Sequence, residues 1–444
     1  MNPELQRNLW LEWSAHRLIA MPGVLTLLFL LAALSAPAET PERLTTTGLV
    51  LFLGLAGVWG TRRSAEAITE EWRSKTWDGQ RLSALGAWEM TWGKLLGSTA
   101  FAWYGAIPCL VVVALAWPSW WTYTATAVIV SAVCSAIALQ ACGLLISLLA
   151  ARKGRLARAR GLWVVPLLLL FSGLSSRLFT VFSADVLWWG YVWEGLYFGL
   201  ASAMVWAAWA VFGAYRLMCQ ELQVRTTPWA WAAFVLFLAW YLAGFVPRGQ
   251  TAEGLFVYVL AAFLVAGVLT YLMLFSERTE LLMLRRLRVR LQRREWRRAL
   301  EDMPCWLVSL ALVTACTPLL LLLAPARELV QLEATQKMPE FQHCALPLLL
   351  LLYRDTAIFL SFALAQVPRR VETTTLFYLG LLYLILPGLC LLLELRPLCM
   401  LLLPPVFTQP LLAAAILLGH VVLALSCLGY RWRQSSRVRP LSHR

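Results

Sequence analysis

The sequence predicts an all-α polytopic integral membrane protein of about twelve transmembrane helices, and three observations carry that prediction. Of 444 residues, 60% are hydrophobic and 14% charged, with a mean hydropathy of +0.68, a balance outside the range of water-soluble globules. The apolar residues gather in runs of spanning length. Lys and Arg then fall almost wholly on one side of the membrane.

A helix needs roughly 17 to 25 apolar residues to cross the hydrocarbon. On that measure the spans are residues 18–34, 47–59, 95–117, 122–150, 162–182, 192–214, 229–246, 252–275, 305–324, 344–366, 376–393 and 398–428. The second run is short and extends into Thr45 and Thr46. Pro404-Pro405 interrupts the last, which predicts a kinked or re-entrant outer end. Ser35-Ala36-Pro37-Ala38 has the small residues of a signal-peptidase site. The run before it nevertheless reaches spanning length, so the first span is expected to be retained.

With the N-terminus inside, the inner segments hold 31 Lys or Arg and the outer loops five, namely Arg43, Arg248, Arg327, Lys337 and Arg396. One missed helix would reverse the parity of every later loop, so this partition predicts cytoplasmic termini. The net charge of +14 comes largely from inner clusters such as 152–160 and 285–298. These read as topology determinants that also touch anionic headgroups, and not as nucleic-acid sites.

The ten cysteines contain no CxxC pair and read as small apolar packing residues. His16, His343, His420 and His443 are scattered and predict no metal site. No Walker loop, nucleophile elbow or HExxH is present. The chain is therefore expected to hold no catalytic residue and to be no enzyme; if ATP drives it, another chain binds the nucleotide.

Residues 71–94, EWRSKTWDGQRLSALGAWEMTWGK, form a polar, Trp-studded segment of helical periodicity between two apolar runs. It is expected to face water and to meet a soluble partner. An amphipathic helix on the inner leaflet is the plain reading, but the order of residues is more specific. Glu71, Thr76, Asp78, Leu85, Trp88, Glu89, Gly93 and Lys94 fall on one spacing, and that spacing resembles the loop after the second span of ABC-2-type transporter permeases. Asn2-Pro3, Glu4, Leu5 and Arg17 are similar to the N-terminal interfacial helix of the same family. Two departures bear on the turn between its short helices: Lys75 stands where the family usually has Gly, and Ala84 where it often has Pro. The resemblance covers about the first hundred residues.

What the resemblance implies is a transport subunit without a nucleotide site of its own. A pair of cytoplasmic ABC ATP-binding subunits, carrying ATP and Mg, would dock on the short helices between the second and third spans. Glu70, Glu71, Arg73 and Asp78 would be the contact residues and Trp77 and Trp88 the anchors. Thr76, Leu85, Glu89, Gly93 and Lys94 complete the coupling loop. The expected setting is the plasma (inner) membrane of a bacterium, with membrane lipids and no nucleic acid as further partners.

Residues 1–228, with the coupling loop at 60–94, would make a first six-span domain, and residues 229–444, with a basic loop at 276–302, a second. Glu277 and Thr279 faintly echo the first loop, which suggests two fused halves; otherwise a second permease copy completes the assembly. The motif 188–194 resembles the Trp-rich outer motif of haem-handling proteins of cytochrome c maturation. No outer histidine flanks it, and interfacial anchoring is the expected role.

Arg354 and Asp355 fall near the middle of the tenth span, where an ionisable group costs about 2.5–3.5 kcal/mol on insertion scales. Adjacent helical residues do not face one another, so each is expected to have a different partner. A substrate or gating role, structural pairing and a break in the helix all remain open for them. Arg177, nearer the outer end of its span, can snorkel. A twelve-span secondary transporter, driven by an ion gradient through such charges, is the alternative function; a membrane assembly or scaffold protein is the third.

Overall fold

The computed structural model describes residues 2–35, 40–83, 85–117, 123–153, 184–246, 251–277, 281–323, 344–364, 371–404 and 409–436. The chain divides into two compact units, Met1–Leu187 with Tyr191–Thr226, and Trp188–Gly190 with Thr227–Arg444.

The first unit opens on α1 (Pro3–Glu12). The Asn2 side chain accepts from the amides of Glu4 and Leu5, and Pro3 occupies a first-turn position that has no amide to satisfy. α2 (Ala15–Ser35) carries exposed Leu27, Leu30, Leu31 and Leu34. Such a surface is a liability in water and a requirement against lipid.

The predicted second span is one part of a much longer helix, α3 (Thr40–Arg73, 34 residues), on the order of 50 Å long. Its turn Leu53–Trp59 is π-helical. A π turn displaces the carbonyl ladder, and the buried Gln140 seals the displaced part. Gln140 Nε2 donates to Ala56 O at 2.8 Å, and its Oε1 accepts from Trp103 Nε1 at 3.0 Å.

After α3 come α4 (Trp77–Arg81), α5 (Ala87–Gly97) and α6 (Ala100–Ala116). The predicted third span is thus bent, with α5 and α6 meeting at 60°. Ser98 and Thr99 sit at the break and donate their hydroxyls back to Lys94 O at 2.7 Å and Leu95 O at 2.6 Å. Such local bonds compete with the helical ladder and bend it. α7 (Tyr123–Lys153) follows; the predicted fifth span, residues 162–182, lies outside the described residues.

Strands β1 (Val186–Trp188) and β2 (Tyr191–Trp193) form a hairpin. Trp189 and Gly190, at φ 55° and 77°, supply the left-handed pair that a two-residue hairpin turn needs. The hairpin delays the sixth predicted helix, so α8 runs Gly195–Glu221. In this unit α7 packs on α8 and α3, α3 packs on α6, and α1 on α5. Ile68, Trp77, Met90, Leu144, Leu148 and Met218 form one core, and Leu25, Phe52, Ala106 and Cys109 belong to another.

The second unit contains α9 (Trp229–Ala243), α10 (Thr251–Ser276), α11 (Leu281–Gln292), α12 (Trp296–Glu301), α13 (Cys305–Leu322) and α14 (Ala345–Ala363). α15 (Val371–Leu392) follows, with a π turn at Leu381–Ile385. The predicted last span is divided into two helices. α16 (Arg396–Leu402) ends before Pro404, and α17 (Pro410–Ser436) begins afterwards. The core of this unit gathers α10, α13 and α14 around Phe263, Leu274, Trp306, Leu310 and Phe359.

Trp188 and Trp189, expected as interfacial anchors, pack within this unit against Trp240. Trp188 Nε1 donates to Tyr241 O at 3.1 Å and the Trp189 amide to Gly244 O at 2.8 Å.

Among the described residues, nine helices are long and apolar enough to cross a membrane: α2, α3, α7, α8, α10, α13, α14, α15 and α17. The bent α5–α6 pair makes a tenth, while α9, at 15 residues, is a shorter apolar helix. The protein is an all-α polytopic membrane protein.

Candidate functional site

The coupling loop expected to lie in water is built around a buried lysine. Lys94, on α5, is 1% exposed, and its ammonium donates to Glu4 Oε1 at 2.7 Å, Glu71 Oε2 at 2.5 Å and Gln80 Oε1 at 2.7 Å. All three donors of the ammonium are used. The Trp77 ring, itself buried, lies 5.3 Å from Nζ, within cation–π range. Arg7 joins from α1 and donates to Glu4 Oε1 at 2.9 Å and to Glu71 Oε1. Two cations therefore face two carboxylates, and the cluster is neutral.

Two glycines make this approach of α1 possible. A Cβ at Gly93 would lie 2.7 Å from Glu4 Cβ, and one at Gly97 would lie 2.8 Å from Asn8 Cβ. Asn2, which caps α1, also donates to Glu89 O at 2.5 Å, while the Glu89 carboxylate caps α5 through the Gly86 amide at 3.3 Å. Arg81 ties the other end of the segment to α8 by donating to Glu221 O at 3.2 Å.

The sharp turn is made without glycine. Lys75 sits at φ 59°, with Thr76 N bonded to Glu71 O at 3.0 Å and Lys75 N to Trp72 O at 3.2 Å, the paired bonds of a Schellman helix end. A left-handed non-glycine residue costs roughly 1–2 kcal/mol. The same pair of bonds recurs on the basic loop of the second unit, where Arg294 has φ 57° and Glu295 N reaches Arg290 O at 3.0 Å. Both turns lead into a helix that begins with Trp, yet Trp77 is buried and Trp296 is 62% exposed.

The expectation that residues 71–94 face water is corrected in part. Glu71 is largely covered, and Trp77, Gly93 and Lys94 are buried, because the α1 carboxylate and the segment's own charges neutralise one another. Leu85 is half-buried. Exposed are Glu70, Arg73, Thr76, Asp78, Trp88 and Glu89, with Trp72 and Leu82 beside them. Trp88 rests edge-on against Trp92 and Tyr215. The sequence reading missed Glu4 as an ion-pair partner, and missed Arg7 and Gln80 entirely. Glu4 and Lys94 are 90 positions apart, and no local pattern joins them.

A second buried charge cluster lies in the other unit. Arg354 and Asp355 are 4% and 1% exposed in an unbroken α14. They pair with each other, Arg354 Nε to Asp355 Oδ1 at 2.9 Å, which corrects the expectation of separate partners. The arginine stem is long enough to fold back across its own helix. Asp355 Oδ2 also accepts from Tyr271 of α10 and Tyr383 of α15, each at 2.7 Å, and the Arg354 guanidinium lies 5.0 Å from the Tyr383 ring. Among the described residues, Arg354 Nη2 and His420 Nδ1 of α17 are buried without a hydrogen-bond partner. Arg177 and Thr279 lie outside the described residues. Glu277, the other echo of the first loop, accepts from the Cys305 amide at 3.0 Å and so caps α13.

Comparison with known protein families, with curated proteins and with solved structures finds no match for this chain.

Proposed function

We propose that this chain is the membrane-spanning permease subunit of an ABC transporter of the ABC-2 type, with ATP hydrolysed on a separate pair of cytoplasmic ATP-binding subunits. One observation supports the reading best: an exposed edge is backed by a buried clamp. Glu70, Arg73, Thr76, Asp78 and Leu82 present mixed charge and one large apolar side chain to solvent. Behind them Lys94 fastens α1, α3, α4 and α5 through Glu4, Glu71, Gln80 and Trp77. A force applied at that edge passes into α3, which continues without a break into its apolar part. Twelve spans in a bacterial inner membrane, with both termini cytoplasmic, complete the reading.

The test reverses Glu70 and Asp78 together to Lys. Their own ion pairs are at the surface, to Arg63 at 3.5 Å and Arg81 at 3.7 Å, and are worth about 0–1 kcal/mol each. Folding is expected to persist while association with a co-expressed ATP-binding subunit weakens roughly tenfold or more, since charge across an interface sets partner choice and encounter. Full coupling in this variant would make the edge a passive interfacial surface. ATP turnover by the chain purified alone would end the permease reading outright.

The Arg354–Asp355 cluster favours a second reading, a secondary transporter. Intramembrane ionisable groups commonly mark ion or substrate paths. Substrate uptake driven by an ion gradient into vesicles that hold this chain and no ATPase would favour it.

A further inference from the structure

The cluster on α14 holds more hydrogen-bonding capacity than its own residues use. Asp355 accepts from Arg354 Nε, Tyr271 and Tyr383, so the carboxylate is well supplied. Among the described residues, Arg354 commits only Nε to it and leaves Nη2 buried without an acceptor, while His420 Nδ1 of α17 is buried without a partner. α17 packs on α14, and the Arg354 charge acts on His420 directly. A buried unsatisfied guanidinium nitrogen is costly, and in a native fold it calls for something to fill it. Tyr383, which shares the site, lies in the π turn Leu381–Ile385, a local widening found often at functional sites.

Charge balance indicates what the filler is. Arg354 and Asp355 cancel, so with neutral His420 the site carries no net charge. A carboxylate is the acceptor best matched to a free guanidinium edge, but its arrival brings an uncompensated negative charge into an apolar bundle. One proton on His420 restores neutrality and converts Nδ1 into a donor. The charged group acting on His420 from α14 is Arg354; Asp355 pairs with Arg354, and Tyr271 of α10 and Tyr383 of α15 attend Asp355 in turn. Further along α17, Arg431 is engaged elsewhere, donating to Ser361 O at 2.8 Å. We propose that Arg354 and His420 form an intramembrane site for a small monocarboxylate, bound together with one proton. This goes beyond the permease reading and is tested without any ATPase.

The test uses the full chain in nanodiscs, with radiolabelled acetate and benzoate as probes, by scintillation proximity at pH 5.5 and 7.5. Saturable binding is expected, tighter at pH 5.5 by up to about tenfold per pH unit, as linkage to one proton requires. His420→Gln is expected to bind weakly and without that pH dependence. The double variant Arg354→Met with Asp355→Asn removes both charges at once, leaves none unpaired, and is expected to bind nothing while eluting as a monodisperse species. Absence of saturable binding to the folded wild type would mean that water alone fills the site, and would overturn the proposal. So would binding that survives the double variant, or a pH dependence that survives His420→Gln.

Discussion

Replacing Lys94 with Met keeps an unbranched side chain one atom shorter and deletes its charge. Three hydrogen bonds are lost, two of them to carboxylates at 2.7 and 2.5 Å, and Glu4 and Glu71 are left to share Arg7. Breaking a buried ion pair from one side costs about 3–5 kcal/mol, because the partner charge stays buried and uncompensated. The loss should be partly reversible: adding Glu71→Gln restores neutrality, since Glu4 retains Arg7 at 2.9 Å. The double variant is therefore expected to regain at least about 1 kcal/mol relative to the sum of the two single losses. Lys94→Arg keeps the charge but not the shape. With Gln80 and the Trp77 ring against the ammonium, the larger planar group is expected to cost stability as well. Unfolding in mixed micelles, followed by circular dichroism, measures the wild type and the four variants. If Lys94→Met lowers stability by less than about 1 kcal/mol, as for an exposed pair, or if the two substitutions simply add, the clamp does not hold the segment and the reasoning fails.

Gly93→Ala places a methyl group 2.7 Å from Glu4 Cβ and is expected to destabilise by about 1–3 kcal/mol, with α1 becoming more sensitive to proteolysis. Lys75→Gly relieves the left-handed strain at φ 59°; net of the extra chain entropy of glycine, it is expected to be neutral to stabilising by up to ~1 kcal/mol, read in the same unfolding assay. Gln140→Leu removes the donor to Ala56 O and the acceptor for Trp103 Nε1. A loss of roughly 1–3 kcal/mol is expected, and hydrogen exchange should rise first in the π turn of α3. A reporter fused after Arg444 is expected on the cytoplasmic side, and a signal from the opposite face would refute the parity drawn from the basic residues.

Composition and apolar run length carried the fold class, because a lipid-facing helix needs little more than those two properties. Run length could not show where a helix continues past its apolar stretch. Gly60–Arg73 is polar enough to read as loop, yet it extends α3 because Ile68, Ala65 and Ser64 turn inward against α7. Nor could run length show the bend at Ser98 and Thr99, which depends on where two hydroxyls point. At the candidate site the spacing of Glu71, Gly93 and Lys94 singled out residues that the structure brings together. It misjudged their exposure, since solvent access depends on α1, far away in sequence. Arg354 and Asp355 were legible as expensive charges, but Tyr271, Tyr383 and His420 lie on other helices and give no signal of their own in sequence.

The 90 positions between Glu4 and Lys94 also order events in time. At about 5–20 residues per second of synthesis, the glutamate is made several seconds before the lysine that pairs with it. During that interval α1 can hold its own turns through Asn2 and pair Glu4 with Arg7 on the same helix, but its Gly93 and Gly97 seat does not yet exist. α1 therefore cannot dock until Gly97 has been made, whatever turns it has formed by then. Anything that captures it meanwhile, whether the headgroups of the leaflet or a chaperone, competes directly with assembly of the clamp.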